Sequence, residues 1–360
     1  MNAIEWYAMI GKTALVIGML LMVAPVMNWI ERRGAGLMQN RLGPNRVGPF
    51  GLFQTIADAL KFLFKEDRIL GHVNPFWYFI APIVVLIPAC MTFAVIPFAS
   101  SITVDGTVIR MQAAELNVGF LYVFAIASLG VYGLIMGGWA SNNKFALLGS
   151  LRSSSQMISY ELSMGLSVIG LVMVFSSVDL MAITQGQGEA LWQLGPLTIP
   201  KWGIFVQPIG FIIFLTAVFA ETNRLPFDLP EGEPEIVGFH VEYGSMKFAV
   251  FMMGEYMNMA VASGLLASLY FGGWQLLPGM GWALGNLGLA GDAHEWARIG
   301  FEMLSFTLKL SFFMWFFVWV RWTLPRFRYD QLMDLGWKVL LPLSLANIVI
   351  TGAMIYYGWV

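Results

Sequence analysis

A chain of 360 residues that is 58% hydrophobic and 15% aromatic, with a mean hydropathy of +0.70, lies far outside the soluble globular range and reads as a polytopic membrane protein. The single cysteine, Cys90, excludes a disulfide framework or a thiolate metal cluster, and the three histidines, all in connections, argue against haem held within a helical bundle. The formal net charge of −2 says little about partners, whereas the placement of the charges says a good deal.

Apolar runs near 7–29, 76–98, 118–140, 157–175, 203–221, 246–271, 300–320 and 338–358 are each long enough to cross a hydrocarbon core of about 30 Å. The expected fold is therefore all-α, with eight transmembrane helices in a single membrane domain over 1–360. The first run is too long for a cleaved signal peptide, and Glu31-Arg32-Arg33 follows it where a small-residue cleavage site would stand. Basic residues crowd the connections after the first, third, fifth and seventh runs, among them Arg32, Arg33, Arg41, Arg46, Lys61, Lys65, Arg68, Lys144, Arg152, Arg321, Arg326 and Arg328. The connections after the second, fourth and sixth runs hold Arg110, Lys201 and Arg298 alone. This bias puts both termini on the outer side.

Between the first two runs, Gly34, Gly36, Gly43, Pro44, Gly48 and Pro49 break any continuous helix. Beyond them, Phe53, Ile56, Leu60, Leu63 and Phe64 recur at helical spacing opposite Gln54, Asp58, Lys61 and Lys65. The segment 50–64 is too short to span, so it is expected to lie as an amphipathic helix in the inner interface. Taken alone, that pattern fits a plain anchor as well as it fits a chemical role. The connections after the second, fourth and sixth runs read as exposed outer loops without chemistry.

The fourth run carries Glu161 about one turn below the inner surface, among Ser163, Gly165 and Ser167. Glu221 closes the fifth run, and Glu255 lies well inside the sixth. In the seventh, Glu302 reads as reaching the outer headgroups, while Lys309 falls near the middle of the bilayer, where an isolated charge costs at least about 2.5 kcal/mol. Between the fifth and sixth runs, ETNRLPFDLPEGEPEIVGFHVEY packs Asp228, Glu231, Glu233, Glu235 and Glu242 behind Glu221 in a chain only 12% charged. Pro226, Pro230 and Pro234 hold this stretch out of helix. For any one buried acid, a neutral or structurally paired carboxyl is the plain reading. Glu161, Glu221 and Glu255 together make a proton or ion path the stronger one. Trp315, Trp319 and Trp322 read as interface or lipid-facing residues, and Met252, Met253, Met257 and Met259 as packing.

Four long stretches, ERRGAGLMQNRLGPNRVGPFGLFQTIADALKFLFKED, SYE, AETNRLPFDLPEGEPE with EYGSMKFAVFMMGEYMNM, and VRWTLPRFRYDQLMDLGWK, occur in the order found in the H subunit, or subunit 1, of respiratory complex I. The chain strongly resembles that family over essentially all eight runs. The resemblance implies a bacterial inner-membrane subunit of the proton-translocating NADH:quinone oxidoreductase, at the junction of the membrane and peripheral arms. It implies a quinone chamber within 31–68, with Glu31, Arg32, Arg41, Arg46, Asp58 and Lys61 at the quinone. It also implies a proton-coupling path through Glu161, Glu221, Asp228, Glu231, Glu233, Glu235, Glu242 and Glu255, the inner acidic loop lying at 221–245. The substrate would be ubiquinone or menaquinone. FMN and iron–sulfur clusters would sit on other complex I subunits, and no redox centre, metal or nucleic-acid partner is expected for this chain. One departure is a loop one residue short, with only Ile236 and Val237 between Glu235 and Gly238. The equivalent subunit of a membrane-bound hydrogenase and a stand-alone ion-coupled secondary transporter remain alternative readings, although no inverted repeats are visible.

Overall fold

The structure is a computed structural model and describes residues 3–194, 197–229, 238–289 and 291–358. Its helices in chain order are α1 (Ala3–Met38), α2 (Gln54–Phe64), α3 (Pro75–Phe93), α4 (Gly119–Ala140), α5 (Lys144–Phe175), α6 (Leu180–Gly186), α7 (Gly203–Val206), α8 (Pro208–Glu221), α9 (Ser245–Tyr270), α10 (Met280–Asn286), α11 (Asp292–Thr323), α12 (Tyr329–Asp334) and α13 (Leu341–Tyr356). A π-helical turn, Leu335–Leu340, joins the last two. Seven of these stretches are long and apolar enough to cross a membrane, with α12, the π turn and α13 counted as one, which makes the protein a multi-pass membrane protein.

The fifth apolar run, 203–221, is not one helix. Gln207 leaves helical geometry (φ −133°, ψ 61°) and Pro208 starts a new helix, because proline has no N–H to continue the old one. What remains is α8, an apolar helix of 14 residues. Two of the connections read as exposed outer loops are folded into regular structure. The first holds a hairpin of β1 (Ser101–Val104) and β2 (Thr107–Arg110), turned at Asp105-Gly106, both with positive φ, the geometry Asp-Gly pairs favour. The second holds α6 and a hairpin of β3 (Ala190–Leu194) and β4 (Leu197–Pro200). Parts of these connections are buried, Phe98, Ile102, Leu180 and Ile183 among them, so they cap the bundle and do not trail from it.

Two helix starts are fixed by side chains that accept from the free amides of the first turn. Asn143 accepts from Phe145 N at 3.0 Å to begin α5, and Asp179 accepts from Met181 N at 3.0 Å to begin α6. The main core is built on Phe93, Tyr160, Leu171, Phe214, Tyr270 and Phe317. A second core of Tyr78, Phe239, Tyr243 and Phe251 lies toward the end of the bundle where α3 begins. There Tyr78 stacks on Tyr243 at 4.2 Å and donates its hydroxyl to Glu242 O at 2.6 Å. Burial pushes the Tyr243 phenol up, and the Tyr78 ring beside it adds to the shift. This end, with the 39–53 segment and the stretch after α8, is the chamber end below. The end with the start of α1 and both hairpins is the terminal end.

Candidate functional site at the chamber end

Four parts of the chain converge on one carboxylate. Glu31, near the end of α1, accepts from Arg321 of α11, from the Tyr256 hydroxyl of α9 at 2.6 Å, and from Arg224, just after α8, at 3.5 Å. Glu31 is only 7% exposed, and a carboxylate so buried persists as an anion when cations and donors surround it. Arg224 reaches further. Its guanidinium lies 4.6 Å over the Tyr256 ring and 3.9 Å from the Glu255 carboxylate.

On the neighbouring face of α1, Arg32 donates to Asp58 of α2 at 2.6 Å, and Asp58 also accepts from Gln54 at 3.1 Å. The intervening segment is folded back over the end of α1. Arg33 donates to Pro44 O at 3.2 Å, Trp29 donates to Phe50 O at 3.1 Å, and Arg41 bonds Gln39 at 2.6 Å. Gly36 permits that fold, since a Cβ there would stand 2.8 Å from Arg41 O and from Gly43 N.

These groups enclose a cavity of about 590 Å³, in whose wall stand Glu31, Arg32, Arg41, Arg224, Glu255 and Arg321. A second, mostly apolar crevice of about 290 Å³ runs between α1, α2 and α9, past Leu21, Pro25, Phe62, Met246 and Met253. Asn28, Met252 and Tyr256 line both, so a polar chamber and an apolar slot share a wall. Of the residues the family motif marks for quinone, Glu31, Arg32 and Arg41 line the chamber and Asp58 lines the slot. Arg46 and Lys61 are exposed and line neither. Met257 and Met259 are packing, buried in the core, but Met252 and Met253 line the cavities.

The residues that the resemblance marks for proton coupling divide by environment. Glu161 accepts from Ser128. Glu221 lies against a cavity of about 50 Å³ with Met164, Thr222 and Asn258, and its Oε2 is buried with no hydrogen-bond partner among the described residues. Asp228 is paired with Arg326 at 2.9 Å. Glu242 accepts from Asn143 at 2.8 Å and faces His72 at 3.7 Å. Glu255 belongs to the chamber wall. Glu231, Glu233 and Glu235, with the shortened loop at Ile236 and Val237, lie outside the described residues. Arg224, Tyr256 and Arg321 were not singled out for this site by sequence, though the first stands inside the acidic stretch and the second beside Glu255.

Residues 11–352 match the family model described as NADH dehydrogenase. The chain is 46% identical to the H subunit of NADH-quinone oxidoreductase from Bdellovibrio bacteriovorus, across 96% of this chain and 95% of that one. The chain belongs to the H-subunit family of NADH-quinone oxidoreductase. Other members include the H subunit numbered 1 of Cytophaga hutchinsonii, 45% identical over 96% of this chain and 97% of that one. The H subunit numbered 2 of Rhizobium meliloti is 46% identical over 95% and 96%. In this member of the H-subunit family, motif residues of α1, α2 and α9 meet around the two cavities that share a wall.

Proposed function

We propose that this chain is the complex I membrane subunit that forms the membrane side of the quinone chamber and couples quinone reduction to proton translocation. The observation that carries the reading is the pair of joined cavities. A quinone has a polar headgroup on an apolar tail, and such a ligand fits a site whose charged donors open directly into an apolar slot. Arg32, Arg41 and Arg224 offer donors for the headgroup carbonyls, and the slot between α1, α2 and α9 takes the tail. The substrate class is ubiquinone or menaquinone. The subunits beside this chain carry FMN and the iron–sulfur clusters, and this chain supplies no redox centre.

In this reading α7 and α8 together make an eighth crossing, and α2 lies in the interface with Ile56, Leu60, Leu63 and Phe64 exposed to lipid. The chamber end faces the inside of a bacterial inner membrane, which agrees with the basic residues there, and both termini face outward. Coupling runs from the chamber through Arg224, which stands between Glu31 and Glu255, to the carboxylates of the 221–245 stretch and on to Glu161. The relatives' names favour quinone chemistry over a hydrogenase or a stand-alone transporter.

The test is Arg32→Ala in the assembled complex. NADH:quinone turnover is expected to fall about tenfold or more, while NADH oxidation by an artificial acceptor, which does not need the chamber, is unchanged. Equal loss of both rates would point to failed assembly, and no loss of either would remove Arg32 from the chamber.

A further inference from the structure

Lys309 lies in the middle of α11, only 6% exposed, and none of the ion pairs among the described residues includes it. Its Nζ donates to Gly273 O and to Gln275 O, each at 2.8 Å, and stands 5.0 Å from the centre of the Trp202 ring. The donor count bears on its charge. A neutral amine keeps two N–H groups and satisfies both carbonyls, whereas the ammonium adds the attraction of the indole face but no carboxylate. A cation held only for packing at this depth would be expected to carry an anionic partner. This lysine instead sits in a shell that accommodates both protonation states.

The shell leads to the terminal end. Glu302, Ser305 and Lys309 follow one another at i, i+3 and i+7 on one face of α11, all buried. Ser305 donates to Gln275 O at 2.6 Å, the same carbonyl that accepts from Lys309. Gln275 and Trp202, both touching the lysine's shell, also line a cavity of about 690 Å³ that has Glu302 in its wall. Glu302 does not reach for headgroups, contrary to the reading of the sequence. It is 5% exposed, accepts from Ser100 N at 2.8 Å and lies 3.8 Å from Arg298. Trp274 lines both this cavity and a second one of about 270 Å³, whose wall also holds Ser100, Arg110 and Asp179. Nearby, Trp274 Nε1, Ser100 Oγ and Arg298 Nε are buried polar atoms with no hydrogen-bond partner among the described residues, the condition under which proteins hold ordered water.

We propose that Lys309 exchanges a proton with the aqueous phase at the terminal end, through a water-filled cavity with Glu302 in its wall. The proposal rests on the proton-coupling reading above and adds to it the group that faces the other side. In the release step one N–H bond of the ammonium breaks and its electron pair stays on Nζ. The proton passes to a cavity water, and the Glu302 carboxylate is the next acceptor toward the outside. The same path run backward reloads the amine. The other charged and titratable groups around this end include Arg298 on α11, Tyr270 at the end of α9, Glu189 and Lys201 on either side of the β3–β4 hairpin, Asp105, Asp292, His294, Glu295, and the pairs Arg110–Asp179 and Lys12–Glu115. The segment from the end of α9 otherwise presents carbonyls, Trp274 and Gln275.

The experiment uses the whole complex in proteoliposomes, with Lys309→Arg and Lys309→Met compared for turnover, proton translocation and thermal stability. Arginine keeps the charge and the donors but does not titrate. The expected result is a fall in coupled turnover of about tenfold in Lys309→Arg, close to that of Lys309→Met, with thermal stability of the arginine variant unchanged. Normal turnover and proton translocation in Lys309→Arg would overturn the proposal and leave the lysine as a clamp on the end of α9. A second measurement does not depend on those variants assembling. Phe205→Cys, placed in the cavity wall in a Cys90→Ser background, is expected to react with a membrane-impermeant thiol reagent added from the terminal side, and protection from it would equally overturn the proposal. Failure of the coupling reading itself would show separately, as normal pumping in Glu221→Gln.

Discussion

Tyr256 donates its hydroxyl to Glu31 across 2.6 Å, joining α9 to α1 at the wall common to the polar chamber and the apolar slot. Although the two residues stand 225 positions apart, this single bond ties the two helices together at that wall. Tyr256→Phe keeps the ring under Arg224 and removes only the donor. The KM for a short-chain quinone is expected to rise about tenfold, ~1.4 kcal/mol, in line with a hydrogen bond to a charged group. Steady-state kinetics of the purified complex check this, and an unchanged KM would place the quinone elsewhere.

Glu221 presents the opposite situation, a buried carboxylate oxygen with no hydrogen-bond partner among the described residues. Glu221→Gln preserves volume and hydrogen bonding but cannot ionise, so the complex is expected to assemble while NADH:quinone turnover and proton uptake both fall about tenfold or more. Rates and stoichiometry in reconstituted vesicles, with assembly checked by native gel, decide it. Near-normal values for both would return Glu221 to a structural role.

Close packing of α3 on α4 gives a prediction about assembly alone. A Cβ on Gly133 would stand 2.5 Å from Val85 Cγ2 and 2.9 Å from Val85 N, and the second contact is with backbone that cannot turn aside. Gly130, one turn away, has nothing within 4 Å of the same position. Gly133→Ala is therefore expected to cost about 1–3 kcal/mol through overpacking and to lower the yield of assembled complex, whereas Gly130→Ala does not. Equal yields of the two variants would show that the helices can separate at no cost.

Much of this arrangement was legible from residue order. Long apolar runs predict crossings because a helix in lipid must satisfy its backbone internally, and that constraint is written in composition. The break at Gln207 was less visible, since Gln207 and Pro208 make only a two-residue dip in a run that is apolar on both sides. The β1–β2 hairpin was legible in principle, for Asp105-Gly106 lies between two short β-branched stretches, but strands of four residues carry too short a period to stand out beside helices several times longer. At the site, motif residues adjacent in sequence, such as Glu31 and Arg32, could be paired with a role. Arg224 and Arg321 meet Glu31 across separations of 193 and 290 residues, and no local period records such a meeting. Glu302 was misread because the bond that buries it comes from Ser100, 202 residues away.

Gln207, where the fifth apolar run breaks, donates to Thr351 at 2.7 Å and accepts from Asn347 at 2.9 Å, all three side chains being buried. It lies 14 residues from Glu221, so about 20 Å of helix separates this polar cluster from the chamber end. Neither α8 nor α13 can leave such groups facing hydrocarbon without loss, and each supplies what the other lacks. During synthesis, Gln207 leaves the ribosome 140 residues before Asn347 does. Gln207 at the start of α8 therefore lacks these two partners until the last helix arrives. Truncating the chain ahead of α13 would deprive an earlier helix of the partner that makes its place in the bilayer permanent.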